Sequence, residues 1–181
     1  SRSDWTYTNP VNFLNFMARF LVRFFSILAV LFTIEMFQPV QKSVIEPFTE
    51  ILAMVSTILI IPFDDSVLAQ GRTLRDMETG FAVSIHAGCN GIEAAIVLIS
   101  GIFSFPAKLA QKLMAITSGF FLLQIMNIAR IISLFYLGQL SLEAFKLFHL
   151  YLWPVLIMLD VLIIFACYLE YLRRPRPMDL P

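Results

Sequence analysis

Residues 147–172 read LFHLYLWPVLIMLDVLIIFACYLEYL. In 26 residues this run holds two carboxylates, Asp160 and Glu170, and one histidine, His149. About 20 mostly apolar residues in helical geometry cross the hydrocarbon of a bilayer. The stretch therefore reads as a spanning helix, kinked at Pro154, and it sets the class of the whole chain.

Outward from it the same pattern recurs. Residues 113–137 form a second run, ended by Gly138-Gln139 and Ser141. Residues 89–105 form another, closed by Pro106. Residues 45–63 carry Pro47 in the first turn, where proline is tolerated, and stop at Asp64-Asp65. Residues 13–37 are interrupted by Arg19 and Arg23 and end at Gln38-Pro39. The expected fold is an all-α integral membrane protein of about five transmembrane helices. Composition agrees: 59% of residues are apolar, 14% are charged and mean hydropathy is +0.79. A water-soluble domain carries about 25% charged residues, so this chain lacks the polar surface a soluble globule needs. A net charge of +0 removes the basic surface that nucleic acid would require. Two cysteines are too few for a disulfide scaffold. The first apolar run is too long for a cleavable signal peptide, and no small-residue cleavage site follows it.

One membrane domain, 1–181, is expected. It divides into a helix pair at 13–63, a polar loop at 64–88, a three-helix core at 89–172 and a tail at 173–181. The loop is rich in charge, yet Ser66–Ala69 and Phe81–Ile85 are β-compatible and predict a small extracytoplasmic hairpin before the third helix. Lys and Arg favour the cytoplasm. The tail arginines, with Lys108 and Lys112, therefore belong inside, and the 64–88 and 138–146 loops outside. Five spans then put the N-terminus outside, whereas Arg19 and Arg23 pull it inside; the two indications oppose each other.

Cys89 stands at the start of the third helix. Arg130 lies seven residues before Leu137, about 10 Å below the outer end of the fourth. His149 opens the fifth. Because the three helices alternate in direction, these residues share one membrane face. Cys89 sits in Ala87-Gly88-Cys89-Asn90-Gly91, and a helix N-terminus favours the thiolate. An arginine within a span is costly and usually functional, and Asn127 lies one turn from it on the same face. Asp160 follows His149 by 11 residues and shares its face, placed to orient the helix pair or to balance Arg130. Cys167 lies about 27 Å deeper than His149, reads as a packing residue and is out of disulfide reach.

Plainer roles compete. A lone cysteine is often a buried small hydrophobe. Arg130 can snorkel or pair with Asp160, and His149 can be an interfacial ring beside Tyr151 and Trp153. His86 competes with His149 as a base. His86, Cys89 and Glu93 could ligate a metal, but their spacing matches no standard zinc pattern. Together, a thiol nucleophile, a proton-accepting histidine and a cation for the oxyanion are what acyl transfer needs.

Gly88-Cys89-Asn90-Gly91-Ile92-Glu93, Asn127-Ile128-Ala129-Arg130-Ile131 and Phe148-His149, in that order, resemble the exosortase/archaeosortase family from about Gly80 to Trp153. The small exosortase H subtype is the nearest likeness. The resemblance implies Cys89 as nucleophile, Arg130 as oxyanion or substrate stabiliser and His149 as third catalytic residue, with Asn90, Gly91, Asn127 and Asp160 in support. It implies a cysteine transpeptidase or protease without cofactor, in the bacterial plasma membrane, with its site facing outside. Its partners would be the lipid bilayer and exported proteins bearing a C-terminal sorting signal: a short motif, a transmembrane helix and a basic tail. The resemblance also implies export associated with exopolysaccharide. The chain departs from the family where it reads Cys89-Asn90-Gly91 rather than Cys-Ser-Gly, and in having fewer spans than many members. The alternatives are a non-catalytic assembly factor built on an Arg130–Asp160 pair and a heme or metal carrier using His86 and His149.

Overall fold

The computed structural model describes residues 10–174. Five apolar helices carry the fold: α1 (Pro10–Met36), α2 (Gln38–Ile60), α3 (Ile92–Ser104), α4 (Leu109–Leu140) and α5 (Leu142–Arg173). Four of them are long and apolar enough to cross a membrane, and α3, with 13 residues, is the short one. The class expected from sequence is the class found.

The boundaries shift for identifiable reasons. The chain breaks at Phe37, whose backbone is extended, and Gln38-Pro39 then opens α2 instead of merely closing α1. The second helix thus begins seven residues earlier than the apolar run indicated. Proline has no N–H and collides with the carbonyl four residues back. Each of the two prolines inside a long helix follows a widened π turn: Gln41–Ile45 before Pro47, and Phe148–Leu152 before Pro154. A π turn adds a residue to the ring and relieves that collision. The fifth helix begins at Leu142, where the Ser141 hydroxyl accepts the Ala144 N–H at 3.3 Å, so His149 lies inside it and not at its start.

Between α2 and α3 stands a three-stranded antiparallel sheet: β1 (Val67–Gln70), β2 (Thr73–Asp76) and β3 (Ala82–Ser84), in that spatial order. The expected hairpin lacked β2. Its charges read as loop, but Leu74 alternates inward and is fully buried with Val67 and Ile85 against Leu52, Ile131 and Phe135. Gly71, at φ +57, takes the first central position of the two-residue β1–β2 turn, where a positive φ is required. Asp76 closes β2. Its carboxylate accepts from the Thr79 hydroxyl (2.6 Å), the Glu78 N–H (2.8 Å) and the Ser66 hydroxyl (2.9 Å), which, with Thr79 foremost, hold its pKa down to about 2.

A second core joins α3, α4 and α5 through Leu98, Ile102, Leu123, Ile157, Val161 and Tyr168. Gly119 lets α4 approach closely, since a Cβ there would lie 2.7 Å from Leu98 and 3.0 Å from Ile164. The packing brings the start of α3, the upper part of α4 and the second turn of α5 to one place.

Candidate active site

Three segments far apart in sequence meet at the sulfur of Cys89. Nη2 of Arg130 lies 3.6 Å from it, and Nδ1 of His149 lies 4.0 Å from it. Arg130 is held in turn by donating from Nη1 to the Gly88 carbonyl at 3.2 Å. It is 5% exposed, with Nε left without a hydrogen-bond partner among the described residues. His149 lies in the π turn of α5 and stacks on Phe145, ring centroids 5.4 Å apart and planes 14° apart.

Cys89 precedes α3 by three residues and sits in a turn closed by its own N–H to the His86 carbonyl at 3.0 Å. The helix cannot begin at Cys89 because Gly91 adopts φ +76, outside the helical region. The Asn90 side chain accepts the Ile92 N–H at 3.1 Å, two residues on, and so shapes the turn that leads into the helix. Its amide reaches the Thr49 hydroxyl of α2 at 3.4 Å. Asn90 and Asn127 are both fully buried, and the Asn127 amide donates to Gln124 Oε1 at 3.4 Å. A Cβ on Gly91 would sit 2.9 Å from Gln124 and 3.3 Å from Asn127. Asn90, Gly91 and Asn127 therefore hold the turn that carries Cys89 against α4. Sequence reasoning missed Gln124 and Thr49; Gln124, a polar residue one turn from Asn127 in an apolar helix, was the available signal. Glu93, in the first turn of α3, accepts the Gly88 N–H and braces the other side of the turn.

Burial pushes the Cys89 thiol above the ordinary cysteine range; Arg130 pulls it down and Glu93 adds a smaller upward push. The environment thus disfavours the thiolate relative to an ordinary cysteine. His86, the competing base, is exposed on the extended segment beyond β3.

Asp160 does not join this group. Among the described residues the ion pair within 4 Å is Arg173–Glu170, and Asp160 Oδ2 is buried without a hydrogen-bond partner. The reason lies in the π turn. Eleven residues bring two side chains to one face of a uniform helix, but one added residue turns them apart by about 100°. Cys167, expected to pack inside, is exposed at the far end of α5 beside an apolar cavity of about 400 Å³ that also touches Met114 and Tyr171. No group of three His, Cys, Asp or Glu side chains suited to a metal occurs among the described residues.

Two cavities meet at Arg130. One, of about 250 Å³, is walled by β3 and the segment after it, with Cys89, Arg130, Phe145 and His149. Phe81 and Ile85 bond to β2 (Asp76 N–H to Phe81 carbonyl, Ile85 N–H to Arg72 carbonyl, both 2.9 Å). By the alternation of an antiparallel ladder, Ala82 and Ser84 turn their backbone groups toward the free edge. The other cavity, of about 330 Å³, is lined by Phe32, Gly88, Glu93, Arg130, Pro154 and Met158, between α1, α3 and α5.

Residues 13–167 match the family model described as transmembrane exosortase (Exosortase_EpsH). No curated protein matches the chain, and no solved structure does.

Proposed function

We propose that this chain, which belongs to the transmembrane exosortase family, is a membrane-embedded cysteine transpeptidase or protease acting on the C-terminal sorting signals of exported proteins. Family membership and the apolar helices make it a multi-pass membrane protein. The finer reading rests on one observation: Arg130 and His149 approach the same sulfur from two different helices.

The chemistry follows from that geometry. His149 Nδ1 takes the proton of the Cys89 thiol as the sulfur attacks the scissile carbonyl carbon. The C–S bond forms, and the carbonyl electron pair moves onto oxygen. Arg130, buried and always charged, donates to that oxyanion. The intermediate collapses by breaking the C–N bond, and the imidazolium returns the proton to the departing amine. A thioester remains on Cys89, and water, an amine or a glycan-linked hydroxyl resolves it. An extended peptide suits the site, because the free edge of β3 offers it backbone partners beside the sulfur. The 330 Å³ cavity shares Arg130 with the site and is lined from α1, α3 and α5, a place suited to a substrate's own transmembrane helix.

Co-expression with an exported protein ending in a motif, a helix and a basic tail tests the reading through the mass of the product's new C-terminus. A shortened product with wild type and with Cys167→Ala, and none with Cys89→Ala, is expected. Equal cleavage with and without Cys89 would overturn it.

A further inference from the structure

Length and apolarity alone admit α2 as a span and leave α3 short of one. The contacts of the two helices point the other way. We propose that α2 lies in the membrane interface on the face that holds Cys89, and that α3 crosses the bilayer in its place.

The first argument is where α2 begins and ends. α1 runs antiparallel to α3. Phe16 packs edge-on against Phe105 at the far end of α3, ring centroids 6.1 Å apart, while Phe32 lines a cavity with Gly88 and Glu93 at its start. The C-terminal end of α1 is therefore on the site face. α2 starts one residue later, tied back by Gln41 Nε2 donating to the Glu35 carbonyl at 2.7 Å. Thr49 then bonds to Asn90, beside Cys89. The other end of α2 is on the same face. Ile60 packs with Val67 and Leu74 of the sheet, and the Glu50 carboxylate lies beside the β1–β2 turn, 3.6 Å from where a Cβ on Gly71 would stand. The sheet thus lies lengthwise along the second half of α2. A helix that enters and leaves on one face of the bilayer does not cross it.

The second argument is solvation. A sheet with open edges has no place in hydrocarbon, where its unpaired N–H and C=O groups find no partner. The helix it lies upon must be at the surface. α2 suits that position, because it has two dissimilar faces. Ile45, Thr49, Leu52 and Ser56 are buried in the fold, while Val44, Pro47, Ile51, Met54 and Ile58 are exposed in a stripe at spacings of three and four. Lys42, Glu46 and Glu50 run along the border between the faces. Such a helix rests with its apolar stripe about 5–10 Å into the headgroup–acyl boundary.

The third argument is charge. With α1, α3, α4 and α5 as the four spans, Arg19, Arg23, Lys108, Lys112, Arg173 and Arg174 all gather toward the membrane face opposite Cys89. Arg19 lies about 26 Å along α1 from Met36, and Lys112 donates to the Phe103 carbonyl at 2.9 Å. The cytoplasmic face collects such cations. Both described ends of the chain then lie inside and the site outside, which removes the opposition between Arg19, Arg23 and a count of five spans.

Single cysteines at positions 15, 42, 65 and 108, in the full-length protein lacking Cys89 and Cys167, test the arrangement with a membrane-impermeant maleimide on intact cells. All four replaced residues are exposed or in a turn. Positions 42 and 65 should label alike before permeabilisation, and 15 and 108 only after it. Labelling of 42 and 65 from opposite sides overturns the proposal. Nitroxides at 44, 51 and 58 in vesicles give a second reading that needs no catalysis. A uniform shallow depth is expected, whereas a spanning α2 would carry position 51 to the bilayer centre, about 15 Å down, and a depth maximum there overturns the proposal whatever the labelling shows.

Discussion

The guanidinium of Arg130 reaches the sulfur of Cys89 at 3.6 Å although 41 residues separate them, and among the described residues it forms no ion pair within 4 Å. This relationship sets the test between a catalytic and a structural arginine. Arg130→Ala should lower turnover by at least about 10²–10³, the cost of losing one oxyanion donor. Arg130→Lys keeps the charge but loses the fork and should retain weak activity at most. Asp160→Asn, with no pair to break, should stay near wild type. Turnover normalised to membrane protein level is the measurement. A fully active Arg130→Lys beside a dead Asp160→Asn would reverse the assignment.

The protonation state of Cys89 has a sign that can be checked. Burial raises its pKa and Arg130 lowers it, so alkylation by iodoacetamide should rise with pH through a midpoint above the ordinary cysteine value of about 8.5. Arg130→Gln removes the downward influence. The midpoint should then move further alkaline, and alkylation at pH 7 should slow. An acid shift in this variant would mean that Arg130 does not face the thiol.

Docking of a peptide on the free edge of β3 predicts a periodic response to proline. Ser84→Pro deletes an N–H facing the open edge and should raise KM with protein level unchanged. Val83→Pro deletes one facing Leu74 of β2 and should lower the amount of folded protein. Similar losses of folded protein in both would indicate that the edge is merely structural.

Gly91→Ala should damage the site without touching a reactive group. The residue would be strained at φ +76, and its Cβ would press on Gln124 and Asn127. Strain of this kind costs about 1–3 kcal/mol. A lower thermal midpoint in detergent, with reduced turnover at unchanged Cys89 alkylation chemistry, is the expected pattern.

The sequence made much of this legible because hydrocarbon imposes simple rules. Long apolar runs announced the helices, and the cost of a buried charge singled out Arg130. Alternating helix direction was enough to bring Cys89, Arg130 and His149 to one face. What escaped was whatever depended on tertiary context. β2 hid behind its charges because Leu74 is the single apolar residue in a short strand whose other buried residue is Asp76. Asp160 was placed with His149 because a π turn leaves no mark in hydropathy; a proline within an apolar run was the trace it did leave. Cys167 was expected inside because a thiol reads as a core group, but lipid accepts it equally well. Pairing between residues 41 and 60 positions apart has no signature in local pattern.

The widened turn at Phe148–Leu152 also makes this part of the chain a counted one. Each helical residue carries about 100° of rotation, and here one residue more than a regular turn is wound in ahead of Pro154. Removing a single residue such as Leu150 would let the helix rewind to its usual pitch. Everything upstream would swing about the axis, taking His149 away from the sulfur it faces, although neither Cys89, Arg130 nor His149 had been altered. The imidazole is therefore aimed by arithmetic as much as by contacts, and the span from Leu150 to Leu152 should tolerate exchange of side chains better than any change in their number.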